Sequence, residues 1–176
     1  SNFYPSVFYY SGKPYLSIEH FYVTQKLIAM NCLKELASLN ACLKGSNFLN
    51  SFLYGKITAK EIQENPTYLE WFHNYMKQLK EYGRTRNGDI AKWENVKVKV
   101  MELGLSLKFN NEDMKQVLLD TKDDILVECS PYDYFWGVGM SKHSAKEYIE
   151  EDIFNELRKG LNQLGKSLMK IRQSII

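Results

Sequence analysis

The chain has 176 residues, 44% of them apolar and 25% charged, which fits one globular domain with a sizeable core. Its net charge of only +2 argues against a protein that coats nucleic acid by bulk electrostatics, though not against one that acts on a nucleic-acid end or a modified base. Cys32, Cys42 and Cys129 are odd in number without a C-x-x-C spacing, the three histidines show no paired spacing, and no apolar run nears the ~20 residues that cross a bilayer. With no basic-then-apolar opening either, the expectation is a cytosolic protein with no metal or other cofactor.

The predicted elements begin with a hairpin, Val7–Tyr10 and Lys13–Leu16 around a Ser11-Gly12 turn, with Pro14 suited to an edge. Ser17 caps a helix running to about Asn31, with Glu19 in the first turn and Glu19, Tyr22, Val23 and Lys26 on one face. A helical piece precedes Gly45. Thr58–Glu61 and Thr67–Glu70 both read as capping boxes, Pro66 separates two helices, and the second stops at Gly83. There Gly83 is expected to leave the helix and let Arg84 turn away. Asp89 caps the next helix and Asn111 begins another. A short strand over 125–129 then enters a loop. Residues 141–152 read as an exposed polar excursion. A last helix over about 153–174 carries a buried stripe of Leu157, Leu161, Leu164, Leu168 and Ile171.

The loop after the predicted strand, Cys129-Ser-Pro-Tyr-Asp133-Tyr-Phe-Trp136-Gly137-Val-Gly139, is the richest in chemistry. It puts a carboxylate among flat aromatic side chains, an arrangement suited to a ligand with both a sugar and a base. Glycine lets the backbone approach such a ligand closely. The competing interpretation is a well-packed aromatic loop. Gly137-Val-Gly139 is too short for a dinucleotide fingerprint, and no strand–helix context follows it.

Taken in order, several fragments resemble the NADAR (YbiA-like) family: Ser1-Asn-Phe-Tyr-Pro5; Ile18-Glu19-His20 with Gln25-Lys26; Gly83-Arg84; Trp93-Glu94 with Lys97; Met101 and Lys108-Phe109. Leu118-Leu119, Thr121, Ile125–Glu128, Asp133-x-x-Trp136-Gly137-x-Gly139 and the ending Gly160–Arg172 continue the series. The similarity is weaker across about 31–80 and 140–158, which read as insertions within a single domain over 1–176. The resemblance implies a predominantly helical α+β fold, with a small N-terminal β-hairpin and a short strand before the D-x-x-W-G loop. It also implies N-glycosidase chemistry at ribose C1. One family activity removes ADP-ribose from modified guanine in nucleic acid. Another cleaves the ribosyl–base bond of early riboflavin-pathway ribosylamino-pyrimidine phosphates.

Breaking such a bond builds positive charge on the ribose, so a carboxylate must stand nearby and a water must be positioned. Glu19 and Asp133 match the family's carboxylate positions and are the expected catalytic pair. Glu19 at a helix start is expected to stay ionised, and Asp133 among aromatics to serve as acid, with the reverse assignment left open. Trp93 and Trp136 are candidates to sandwich a base, against the alternative of core packing. Lys26, Arg84, Lys97 and Lys108 are candidates for phosphates, His20 for orienting Glu19, and Gly137 for close backbone approach. An ADP-ribosyl glycohydrolase leads, a riboflavin-intermediate N-glycosidase follows, and a non-catalytic module binding ADP-ribose or a related nucleotide is the third reading. The expected partner is ADP-ribose, an ADP-ribosylated base or nucleic acid, or a small ribosyl phosphate, and no membrane.

Overall fold

The computed structural model describes residues 1–175. It is predominantly helical with one antiparallel pair of strands, an α+β fold, and divides into two compact units, Ser1–Asn110 and Asn111–Ile176. Among the described residues, no helix is long and apolar enough to cross a membrane.

The first unit opens with β1 (Phe8–Tyr10) and β2 (Lys13–Tyr15), paired in the register Phe8↔Tyr15. Ser11 and Gly12 both have positive φ, +49° and +72°, the backbone that a tight hairpin turn requires. Helix α1 (Ile18–Ala29) follows, its first turn closed by the Ser17 hydroxyl, which accepts the His20 N–H. The edge of the Tyr15 ring meets the Phe21 ring, with centroids 5.0 Å apart, so hairpin and helix share a core. Helix α1 packs against α5 (Pro66–Gly83) and α6 (Ile90–Lys108), while α2 (Leu33–Gly45), α3 (Asn47–Leu53) and α4 (Ala59–Glu64) close the α5 side. Residues 31–80 are therefore mostly helical and supply Leu39, Phe52, Ile62, Phe72 and Leu79 to the buried core.

The Thr58–Glu61 capping box forms as expected, but the second one does not. Helix α5 starts earlier, at Pro66, with Asn65 accepting the N–H groups of Thr67 and Tyr68. Proline's fixed φ and missing N–H suit that first position, and this decides the start. At the other end Gly83 stays helical. Its role is space, because a Cβ there would lie 3.1 Å from Val23 of α1.

The second unit holds α7 (Glu112–Leu119), α8 (Lys142–Glu150), α9 (Phe154–Leu157) and α10 (Gln163–Ser174). Three expectations are corrected here. The strand over 125–129 has no strand partner among the described residues. Its backbone is held instead by the Asn162 amide, which donates to Leu126 O at 2.8 Å and accepts from Glu128 N at 3.0 Å. The 141–152 excursion contains α8, whose Ala145 packs with Val138 and Met140. The helix expected over 153–174 is broken between Leu157 and Gln163. A Cβ on Gly160 would sit 2.2 Å from Gly137 O, and Asn162 is left-handed at φ +53°. In consequence Leu157 and Leu161 are exposed, while Leu164 and Ile171 remain buried.

Candidate active site

Glu19 lies in the first turn of α1, where its own N–H donates to Asn2 O at 3.1 Å. The carboxyl is half-buried, and desolvation pushes its pKa up to about 6, against the opposing pull of the Lys80 and Lys26 ammonium groups. The helix dipole predicts the opposite direction for a first-turn acid, so burial is the larger effect. With a pKa of about 6 the carboxyl is still ionised at neutral pH and lies close enough to it to exchange a proton.

His20 is turned into the core. Its Nδ1 accepts the Leu16 N–H at 3.2 Å, so the neutral ring carries its proton on Nε2, and burial lowers its pKa to about 4. The ring contacts those of Tyr15 and Tyr75, with centroids 5.2 and 6.0 Å away. It thereby fixes the start of α1 and the backbone beside Glu19.

Lys26 is two turns beyond Glu19 on the same helix, and its Nζ donates to Gly83 O at 2.6 Å. It opens onto a cavity of about 560 Å³ that Gly83, Arg84, Arg86, Trp93 and Glu94 also line. Burial lowers the Lys26 pKa; Glu94 and Cys32 oppose that, while Arg86 and Lys97 add to it. Cations gathered around one partly buried ammonium favour an anionic ligand. Arg84 caps the end of α5, is largely exposed and pairs with Glu81. Lys97 pairs with Glu94 one turn along α6. Trp93 is only 2% exposed and meets Tyr22 edge to face, so it forms a wall of the cavity from within the core. Lys108 is buried as well; its Nζ donates to Ser1 O at 3.1 Å beside the Tyr4 ring, and burial lowers its pKa to about 8.

The segment carrying Arg84 and Arg86 is pinned. Glu35 of α2 accepts from Thr85 Oγ1 and Asn87 Nδ2, and Asp89 N donates to Met30 O. Gly88, at φ +79°, lets the chain pass so near Met30 that a Cβ would lie 2.0 Å from its carbonyl oxygen. Sequence reasoning missed Arg86 and Lys80. Arg86 had a signal, the second basic residue in Gly-Arg-Thr-Arg. Lys80 had none, because its relevance to Glu19 depends on α5 crossing α1.

In the second unit, Asp133 Oδ1 accepts the N–H groups of Phe135 and Trp136 at 3.0 and 2.7 Å, folding the loop back on itself. The carbonyls of Phe135 and Trp136 in turn receive the N–H groups of Gln163 and Leu164, the free donors at the start of α10. Trp136 is half-buried and perpendicular to Phe135, while Tyr132 and Tyr134 are exposed. Gly137 is buried, and a Cβ there would lie 2.9 Å from Asp133 O. Asp133 thus builds the loop in which it sits.

With this geometry in place, the chain can be compared with known proteins. It is 26% identical over 176 residues to a protein named N-glycosidase in Nostoc punctiforme, covering 99% of this chain and 83% of that one. It is 33% identical over 95 residues to N-glycosidase YbiA of Shigella boydii, about half of each chain (53% and 49%). It is also 36% identical over 85 residues to the chloroplastic riboflavin biosynthesis protein PYRR of Arabidopsis thaliana, 48% of this chain but 12% of that one. The profile of the NADAR domain matches residues 1–176 from end to end, and the chain belongs to that family.

Proposed function

We propose that this chain is a hydrolase of N-glycosidic bonds, cleaving the ribose C1–N bond of a base-linked ADP-ribose such as ADP-ribosylated guanine in nucleic acid. The C1–N bond breaks with its electron pair leaving on the base nitrogen, and ribose acquires oxocarbenium character. Glu19 takes a proton from the attacking water, whose oxygen bonds to C1, while the departing base nitrogen takes a proton from solvent and Glu19 afterwards returns its own to solvent. A carboxylate with a pKa near 6 is a stronger base than an ordinary one and is still ionised at neutral pH. Asp133 is the second proposed carboxylate, and His20 holds the start of α1 in register.

The observation that carries the ADP-ribose reading is the cavity with Lys26, Arg84 and Arg86 on its walls and Lys97 nearby. A pyrophosphate calls for more cationic contacts than a monophosphate does. The printed name of the riboflavin biosynthesis relative favours a second reading, an N-glycosidase of ribosylamino-pyrimidine phosphates.

The test is to incubate the chain separately with an ADP-ribosylated guanine oligonucleotide and with a ribosylamino-pyrimidine phosphate, following released sugar by chromatography. Free ADP-ribose from the first, without turnover of the second, is the expected result. Turnover of the pyrimidine phosphate alone selects the second reading, and no turnover of either returns the chain to a binding role.

A further inference from the structure

The first residues of the chain lie against the start of α1. The Asn2 carbonyl accepts the Glu19 N–H at 3.1 Å, and Ser6 N donates to Leu16 O at 3.0 Å just before the helix. One residue past Asn2, the Phe3 ring packs against the core of the first unit and carries the Lys80 ammonium 4.4 Å from its centroid. Lys80 belongs to α5, one turn before Gly83, whose carbonyl holds Lys26. The end of α5 therefore sets two cations against α1.

They are held differently. Lys26 is bound to the Gly83 carbonyl and has Glu94, Arg86 and Lys97 as charged neighbours. Lys80 is exposed, and its seat is the face of an aromatic ring, which attracts a cation without neutralising its charge. Desolvation is the larger influence on the Glu19 carboxyl; of the two cations that oppose it, Lys80 outweighs Lys26. Other charged groups on elements packed against α1 have partners of their own. Glu35 of α2 holds Thr85 and Asn87, Lys108 of α6 holds Ser1 O, and Glu94 and Lys97 of α6 pair with each other. The Tyr15 hydroxyl of β2 accepts from Gln25, and His20 faces Tyr15 and Tyr75.

We propose that Lys80 is a positioning residue for Glu19: seated on the Phe3 ring beside the start of α1, its ammonium is the fixed countercharge that keeps the half-buried carboxyl in the basic form that takes the proton of the attacking water. This inference rests on the reading of Glu19 as the base. Lys80 acts through Glu19, and Phe3 acts by holding Lys80 in place.

The test separates the two. The Glu19 carboxyl is titrated by carbon-13 NMR in the full chain labelled at glutamate, its signal assigned by its loss in Glu19→Gln. Lys80→Met should move the midpoint upward by about half a pH unit or more, since an opposite charge has been removed. Lys80→Arg keeps a cation that stacks on an aromatic face, and should titrate close to the unmutated chain. In a Phe3→Leu background Lys80→Met should move the midpoint less, because the ammonium has already lost its seat. With the ADP-ribosylated guanine oligonucleotide as substrate, the rise of kcat/KM with pH should shift upward in Lys80→Met together with the NMR midpoint. An unmoved midpoint in Lys80→Met, an equal shift in Lys80→Arg, or a shift that is undiminished in the Phe3→Leu background would each overturn the proposal, whatever the turnover. A moved midpoint with an unmoved kcat/KM profile would support the link between Lys80 and Glu19 and count against Glu19 as the base.

Discussion

At Glu19 and His20, adjacent side chains carry opposite linkage to pH. Glu19 has its folded pKa raised from 4.5 to about 6. The folded state binds the extra proton between those values, so stability on this account falls as pH rises through that window and the cost is complete above about 6. His20 has its folded pKa lowered from 6.5 to about 4. Here the unfolded state binds the extra proton, so stability is complete above about 6.5 and is lost as pH falls toward 4. Between 4.5 and 6 the two slopes oppose each other. Glu19→Gln should therefore do three things. It should lower turnover by ~10²–10⁴-fold, the worth of a positioned acid or base. It should raise stability at neutral pH by about 1–2 kcal/mol, because an unfavourably buried charge is gone. It should also make stability fall more steeply on acidification, as His20 is no longer offset. Urea unfolding of both proteins at several values between pH 4.5 and 7 measures the last two effects. Identical pH slopes in the two proteins would mean that Glu19 is not buried as described. In the unmutated protein kcat/KM should rise with pH through about 6 if Glu19 acts as the proposed base; a flat profile there counts against that role.

Among the elements, the pinned segment between α5 and α6 matters most to the site, since it carries both arginines of the cationic cavity. Gly88→Ala forces a left-handed alanine and a Cβ 2.0 Å from a backbone oxygen, so the loop must move. The expected cost is at least ~2 kcal/mol in thermal unfolding, with a raised KM for a phosphorylated substrate. An unchanged Tm would show that the passage beside Met30 is wider than the structure has it. This loop also shows which features were legible beforehand. The caps at Ser17, Thr58, Asp89 and Asn111 are local chemistry within three residues, and each starts a helix where the sequence places it. The segment 125–129 reads as a strand from its apolar run, but its backbone partner is the Asn162 side chain more than thirty residues on. The break in the last predicted helix depends on Gly160 meeting Gly137, a contact that no helical periodicity encodes. The site follows the same division. Glu19, Lys26 and Arg84 were legible as motif residues, whereas Lys80 enters only because two helices cross.

Over the whole molecule, positive charge is local rather than general. The net charge is +2 from 23 basic and 21 acidic side chains, yet Lys26, Arg84 and Arg86 face one cavity in which Glu94 is the acidic lining residue. A net charge this small supplies little bulk attraction for a polynucleotide backbone. On the proposed ADP-ribose reading the chain should recognise the modified nucleotide and little of the flanking strand. Each phosphate neutralised on a single strand contributes about −0.7 to the slope of log affinity against log salt concentration, so three engaged cations predict a slope of roughly −2. The measurement is fluorescence anisotropy of a labelled single-stranded oligonucleotide carrying one ADP-ribosylated guanine, at several salt concentrations, using Glu19→Gln to prevent turnover. Arg86→Ala should weaken binding at low salt and bring the slope to roughly −1.4, because one cation is removed from the same cluster. The unmodified oligonucleotide should bind far more weakly throughout. A slope of about −5, or equal binding of modified and unmodified strands, would place the nucleic-acid contacts elsewhere on the surface and separate strand binding from the cavity beside α1.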